Sequence, residues 1–183
     1  AFTISSPYIG RGGGKTSLLH AVSRLYGGMV DVSAGEDFGV VKQRLLTPEV
    51  EHLRILGVDN VKRHKFSWAP FEALITSYTI DGKQLYVGNA SRPNRLTYIV
   101  TMNAPGLSVD LAQRAVPIQL GKPTYSPEWR DDLFRYIEDH QLAILADLVA
   151  MLRRPPATSS EATTRWGEWE AAVLCRCARD PGA

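Results

Sequence analysis

The chain has 183 residues, 21 Lys and Arg against 19 Asp and Glu for a net charge of +2, and 44% apolar side chains. At this length a folded chain buries roughly 70% of its unfolded surface, so the composition describes one globular domain and excludes a tail, a fibre or a disulfide-dependent scaffold. A charge of +2 argues neither for nor against nucleic acid.

No apolar run approaches the ~20 residues that span a bilayer, and the opening Ala1-Phe2-Thr3-Ile4 lacks the parts of a signal peptide. A cytoplasmic protein with no membrane partner is the expectation. Cys175 and Cys177 stand too close for a good bridge and have no second Cys or His cluster for a metal, so they read as incidental thiols. The chain opens without Met and inside a β-rich run, which suggests a piece of a longer protein.

In chain order, residues 2–6 read as a strand, the glycine cluster Gly10 to Gly14 as a loop, and 15–26 as a helix with Leu18, Leu19, Val22 and Leu25 at helical spacing. Residues 29–33 form a second strand, 38–46 a helix stopped by Thr47-Pro48, and 53–58 a buried strand closing on Asp59-Asn60. A helix over 67–77 has Ser67 as its cap. A hairpin insert near 78–88 is predicted to turn at Asp81-Gly82, a dipeptide that supplies positive φ. Residues 96–101 read as a strand buried on both faces, 108–114 as a short helix, and 115–120 as an edge strand because Pro117 has no N–H to donate. Residues 127–152 make one long helix or two in succession, 155–164 a Pro/Ser/Thr linker, and the region of Trp166 to Leu174 a last amphipathic helix. The alternation predicts an α/β fold of the P-loop NTPase kind: a mostly parallel five-stranded sheet flanked by helices over residues 1–124, then a helical segment over 125–183.

GRGGGKTS, residues 10–17, sits between a strand and a helix. Backbone N–H groups of Gly10, Arg11, Gly12, Gly13 and Gly14 would converge on phosphate oxygens at a helix N-terminus, with Lys15 on the β/γ-phosphates, the Thr16 hydroxyl on Mg²⁺ and Ser17 behind. ATP and Mg²⁺ are the implied ligands. The first glycine of G-x-x-x-x-G-K-[ST] would fall at Ile9; the available one is Gly10. Asp59, 44 residues after Lys15, is the expected second metal ligand at a strand tip, with Thr16 the first. Asn60 stands where a catalytic Glu is common; an amide orients water but accepts no proton, so the base must come from elsewhere, Glu72 or a neighbouring subunit. Asn103, at a third strand tip, suits a γ-phosphate or water sensor; the plain alternative is a turn residue. Arg114 suits a finger reaching a neighbour's γ-phosphate, the alternative being an i,i+4 pair with Asp110.

The series GRGGGKTS, ILGVDN, YTIDGKQLYV, LTYIVTMNAP and DLAQRAVPIQL resembles the AAA+ ATPase core of superfamily 3-type helicases, and is most similar to the primase-helicases of phages, plasmids and integrated elements, relatives of the poxvirus-type and virulence-associated E proteins. The resemblance covers about residues 2–152. It implies an ATP-driven ring, often a hexamer, that moves on single-stranded DNA, with a pore-facing hairpin between the second and third motifs; on this chain that segment holds Lys83, Arg92 and Arg95 as candidate DNA contacts. The competing readings are an ATPase that serves as a loader, defence or regulatory switch, and a nucleotide-binding module without turnover.

Overall fold

A computed structural model of the chain describes residues 1–6, 12–61, 66–84, 87–103, 106–121, 128–157 and 167–176. Its centre is a five-stranded, all-parallel sheet in the order β2-β3-β6-β1-β7, built from β1 (Phe2–Ser5), β2 (Met29–Val32), β3 (Ile55–Val61), β6 (Thr97–Met102) and β7 (Val116–Gln119). A separate antiparallel pair, β4 (Thr79–Gln84) and β5 (Gly88–Pro93), forms the hairpin. The helices are α1 (Lys15–Leu25), α2 (Phe38–Leu45), α3 (Ala69–Thr76), α4 (Val109–Ala112), α5 (Trp129–Arg153) and α6 (Gly167–Ala172). The α/β class, the five parallel strands and the edge position of β7, whose Pro117 pairs with Thr3, agree with the reading from sequence.

Side-chain alternation divides the sheet into two faces. Leu56, Val58, Tyr98, Val100 and Met102 pack with Val41, Leu45, Phe71, Leu74 and Ile80 into the larger core, beneath α2, α3 and the hairpin. Ile4, Ile55 and Ile99 face the other way, onto Leu19 of α1. A Cβ on Gly57 would lie 3.3 Å from Leu19 and 2.9 Å from the Met29 sulfur, so a bare backbone there lets α1 settle on β3. The odd-numbered positions that carry Ile55, Gly57 and Ile99 toward α1 continue to Asp59 and Thr101 at the strands' C-terminal ends, which is how the fold points both at the start of α1.

Three local expectations change. The strand at 53–58 does not close at Asp59. β3 continues to Val61 through an irregularity: Val58 pairs with Val100 and Val61 with Met102, so Asp59 and Asn60 together oppose Thr101. This is a bulge, and Asn60 takes the left-handed φ of 57° it needs; asparagine tolerates that region better than most residues. The hairpin does not turn at Asp81-Gly82. β4 runs straight through both to Gln84, and Gly82 pairs with Ala90. Gly82 answers a packing demand, because a Cβ there would lie 2.9 Å from Leu46 and 3.5 Å from Lys42 of the α2 segment. Finally, Ser67 does not cap α3. Trp68 is the cap residue, and its N–H donates to the Glu72 carboxylate at 3.2 Å.

Two compact units divide the chain, Ala1–Arg135 and Tyr136–Ala183, with the division inside α5. Within the second, Arg176 donates to the Arg154 carbonyl at 3.0 Å and the Ala171 carbonyl at 2.6 Å, and buried Cys175 accepts from Ala157 N at 2.6 Å through its carbonyl. Cys177 and Trp166 lie outside the described residues. No helix among the described residues is long and apolar enough to cross a membrane.

Candidate nucleotide site

β1 ends at Ser5, and α1 begins at Lys15 with Gly14 as its cap residue at φ 78°. No side chain at the cap position bonds the helix and its first turn holds no acidic residue, so the positive dipole end is offset only from outside the helix, among the described residues by the Asp59 carboxylate at Thr16. Gly12, at φ 81°, and Gly14 occupy backbone space that other residues rarely adopt. Gly13 is required for a different reason: a Cβ there would lie 2.7 Å from the Ser6 hydroxyl and 2.8 Å from its Cβ. That close approach lets the loop fold back over the end of β1. Gly10, Arg11 and Ile9 lie outside the described residues.

Lys15 is 8% exposed and its Nζ donates to the Ser6 hydroxyl at 2.6 Å. Burial holds its ammonium below the usual lysine range, while the Asp59 carboxylate pushes the other way. The Thr16 hydroxyl donates to Asp59 at 3.1 and 3.2 Å, one distance to each carboxylate oxygen. The Thr101 hydroxyl donates to the same carboxylate and accepts from Asn60 N at 2.7 Å. One chain of hydrogen bonds therefore joins α1, the β3 bulge and β6. The fold brings together Lys15, Thr16 and Asp59, three residues already singled out in the sequence. Ser6 and Thr101 were not predicted. The signal for Thr101 was a hydroxyl near the end of the Thr97–Met102 strand, directly after the apolar Ile99 and Val100; for Ser6 nothing local distinguished it from Ser5.

Gly12 to Ser17 line a cleft of about 310 Å³ whose opposite wall is Trp129 and Arg130 at the start of α5. A Cβ on Gly14 would lie 3.7 Å from the Trp129 ring. Arg130 and Arg24 both lie over the Phe134 ring, at 5.3 and 4.5 Å from its centre, which braces this wall. Trp129 falls within the predicted helix over 127–152, and only the tertiary fold sets it against the loop.

The remaining predicted residues are distributed differently. Asn60 is exposed beside the bulge, and Asn103 is half-buried directly after β6, at the same end of the sheet as Asp59. Arg114 lies at the other end: its carbonyl accepts from the Ala1 amine at 3.0 Å, next to the start of β1 and β7, and its guanidinium donates to the Glu72 carbonyl at 2.7 Å. Among the described residues it makes no ion pair with Asp110, so that alternative is corrected: α4 is one turn long, and Arg114 falls beyond it. Glu72 is buried, its carboxylate accepting from Ser108 at 2.8 Å and from Trp68 N. It fastens α3 to the cap of α4. Hairpin register separates the predicted DNA contacts. Lys83 shares the outward face with Asp81, whereas Arg92 pairs with Ile80 on the inward face.

No protein-family model and no curated protein matches the sequence. Solved structures do. An A-form apo structure of the NrS-1 C-terminal region superposes with a TM-score of 0.54 at 14% identity, covering 76% of this chain and 34% of that one. A second A-form apo structure of the region gives 0.54 at 15%, covering 77% and 34%. The chain thus spans about a third of the length of the structures it matches, and at this identity the likeness is one of fold.

Proposed function

We propose that this chain is the ATP-binding and ATP-hydrolysing motor region of a helicase-related protein that acts on single-stranded DNA as a ring-forming homo-oligomer. The observation that carries the reading is the uncapped start of α1, with Lys15 buried beside it and Thr16 bonded to Asp59. Converging N–H donors, one desolvated ammonium and a hydroxyl–carboxylate pair are the parts a nucleoside triphosphate and its metal need. The fold likeness to NrS-1 and the motif resemblance support the helicase assignment.

Thr16 and Asp59 offer the hard oxygen donors that Mg²⁺ prefers; they would hold it there, where it would offset charge on the transferring phosphoryl group. Lys15 neutralises phosphate charge, and it is held in a geometry that its bond to Ser6 sets before any ligand arrives. Thr101 orients the Asp59 carboxylate and fixes the bulge that presents Asn60 to solvent. Asn60 and Asn103 position water or a γ-phosphate oxygen. Proton acceptance falls to a neighbouring subunit, and so does Arg114, which stands a strand length away from its own loop.

A second reading, a nucleotide switch without turnover, is favoured by Asn60 and by the attachment of Glu72 to Ser108. Steady-state hydrolysis of ATP–Mg²⁺ with and without single-stranded DNA decides between them. DNA-stimulated turnover is expected; nucleotide binding with no turnover in any oligomeric state selects the switch.

A further inference from the structure

The end of the sheet opposite the glycine loop carries a second polar cleft, of about 200 Å³, lined by Glu51, Arg54, Arg92, Pro93 and Arg95. Arg54 immediately precedes β3, and its carbonyl accepts from Thr97 N at 2.7 Å, so it marks where β3 and β6 begin. Asp59, five residues further along β3, is about 17 Å away at strand rise. The cleft is therefore separate from the nucleotide site.

Its chemistry is unusual for a surface. Three guanidiniums share it with one carboxylate. Arg54 is held by the Glu51 and Leu53 carbonyls at 2.8 and 3.1 Å. Arg92 reaches the Val50 carbonyl at 3.3 Å, and its enclosed Nε has no hydrogen-bond partner among the described residues. Burial lowers the Arg92 pKa, the Glu51 carboxylate opposes that, and the proximity of Arg54 adds a smaller lowering. Three guanidiniums against one carboxylate leave the cleft with an excess of positive charge, and Arg54 and Arg95, both exposed, are accessible to an anion that enters it. A carboxylate offers two oxygens in one plane, enough for two forks; a tetrahedral phosphate presents acceptors in more directions and suits three.

We propose that Arg54, Arg92 and Arg95 form a phosphate-binding cleft that holds the backbone of single-stranded nucleic acid at the end of the sheet remote from the nucleotide. The phosphate chemistry follows from the cleft itself; the choice of nucleic acid as its source rests on the helicase-related reading. Lys83, on the opposite face of the hairpin, belongs to a different surface.

The test uses the whole chain without nucleotide and measures binding of a labelled single-stranded oligothymidylate across a salt series. Arg54→Gln/Arg95→Gln is expected to weaken binding at least tenfold and to reduce the slope of log K against log salt by about 0.7 for each phosphate no longer neutralised. Arg54→Lys/Arg95→Lys, which keeps the charges but not the forks, should restore the slope and only part of the affinity. Unchanged affinity and slope in the Gln variant overturn the proposal. So does a pattern in which inorganic phosphate or oligoglutamate loses binding in that variant while the oligothymidylate does not. Because no nucleotide is present, failure of the ATPase reading, seen separately as ATP binding unaffected by Lys15→Ala, leaves this result intact.

Discussion

The two ends of one parallel sheet solve the placement of charge in opposite ways. At the C-terminal end the chain supplies its own partners: Lys15 has the Ser6 hydroxyl and the field of Asp59, and Asp59 has two hydroxyls. At the N-terminal end Arg54, Arg92 and Arg95 gather around a single Glu51, and one enclosed donor is left without an acceptor among the described residues. Folding completes the first arrangement, so a ligand there must exchange partners already in place. The second keeps an excess of positive charge after folding, which attracts an added anion. A site of pre-set partners suits repeated binding and release of a small molecule, whereas an uncompensated cationic cleft suits a polyanion held through charge.

The largest expected effect tests whether the C-terminal end is complete within one copy. Arg114 sits at the opposite end of β1 from its own loop, so, acting across a subunit interface, Arg114→Ala should spare ATP binding and lower turnover by on the order of 10³-fold or more, the scale of an arginine finger. Mixing Arg114→Ala with Lys15→Ala subunits, in the longest form that oligomerises, should restore hydrolysis that neither shows alone. No recovery in mixed oligomers would leave Arg114 with its Glu72 carbonyl bond as a structural tie. Next in size, Lys15→Ala should weaken ATP–Mg²⁺ binding by calorimetry on the order of a hundredfold, as expected when one partner of a buried charge pair is removed, while oligothymidylate binding stays unchanged. Equal weakening of both ligands would erase the distinction between the two ends.

Tyr98, near enough to Arg92 to feel its charge, gives a pH-dependent contrast. Burial pushes the Tyr98 phenol up to about 12, even though its bond to Asn94 at 2.8 Å and the nearby Arg92 pull the other way. A folded value above the unfolded one, about 10, means the contribution is whole below pH 10 and is lost as pH rises toward 12, amounting to about 3 kcal/mol. Denaturation measured across that window should show the loss, and Tyr98→Phe should flatten it. The smallest effect returns to the loop. Gly13→Ala places a Cβ against Ser6 and should cost about 1–2 kcal/mol of stability, with weaker ATP binding because Ser6 positions Lys15. An unchanged melting temperature would show that the loop relaxes freely around Ser6.

What the sequence alone determined was what short-range chemistry encodes. The glycine loop before Lys15-Thr16, the alternation of strands and helices, the edge strand with Pro117 and the acid on β3 are each written in a few adjacent residues. Asp81-Gly82 was legible as a hairpin but not as its turn, because Gly82 serves the approach of Leu46 and Lys42, more than thirty residues earlier. Thr101 became a partner of Asp59 only when β3 and β6 paired and a two-residue bulge set their register, and Ser6 only when the loop folded back over β1. Trp129 faces Gly14, and Arg54 meets Arg92 and Arg95, across separations no local pattern records. A lone polar residue in a strand, or an arginine before one, looks the same in sequence whether it faces solvent or a distant partner; the packing of the sheet decides which, because burial turns that difference into an energy of several kcal/mol.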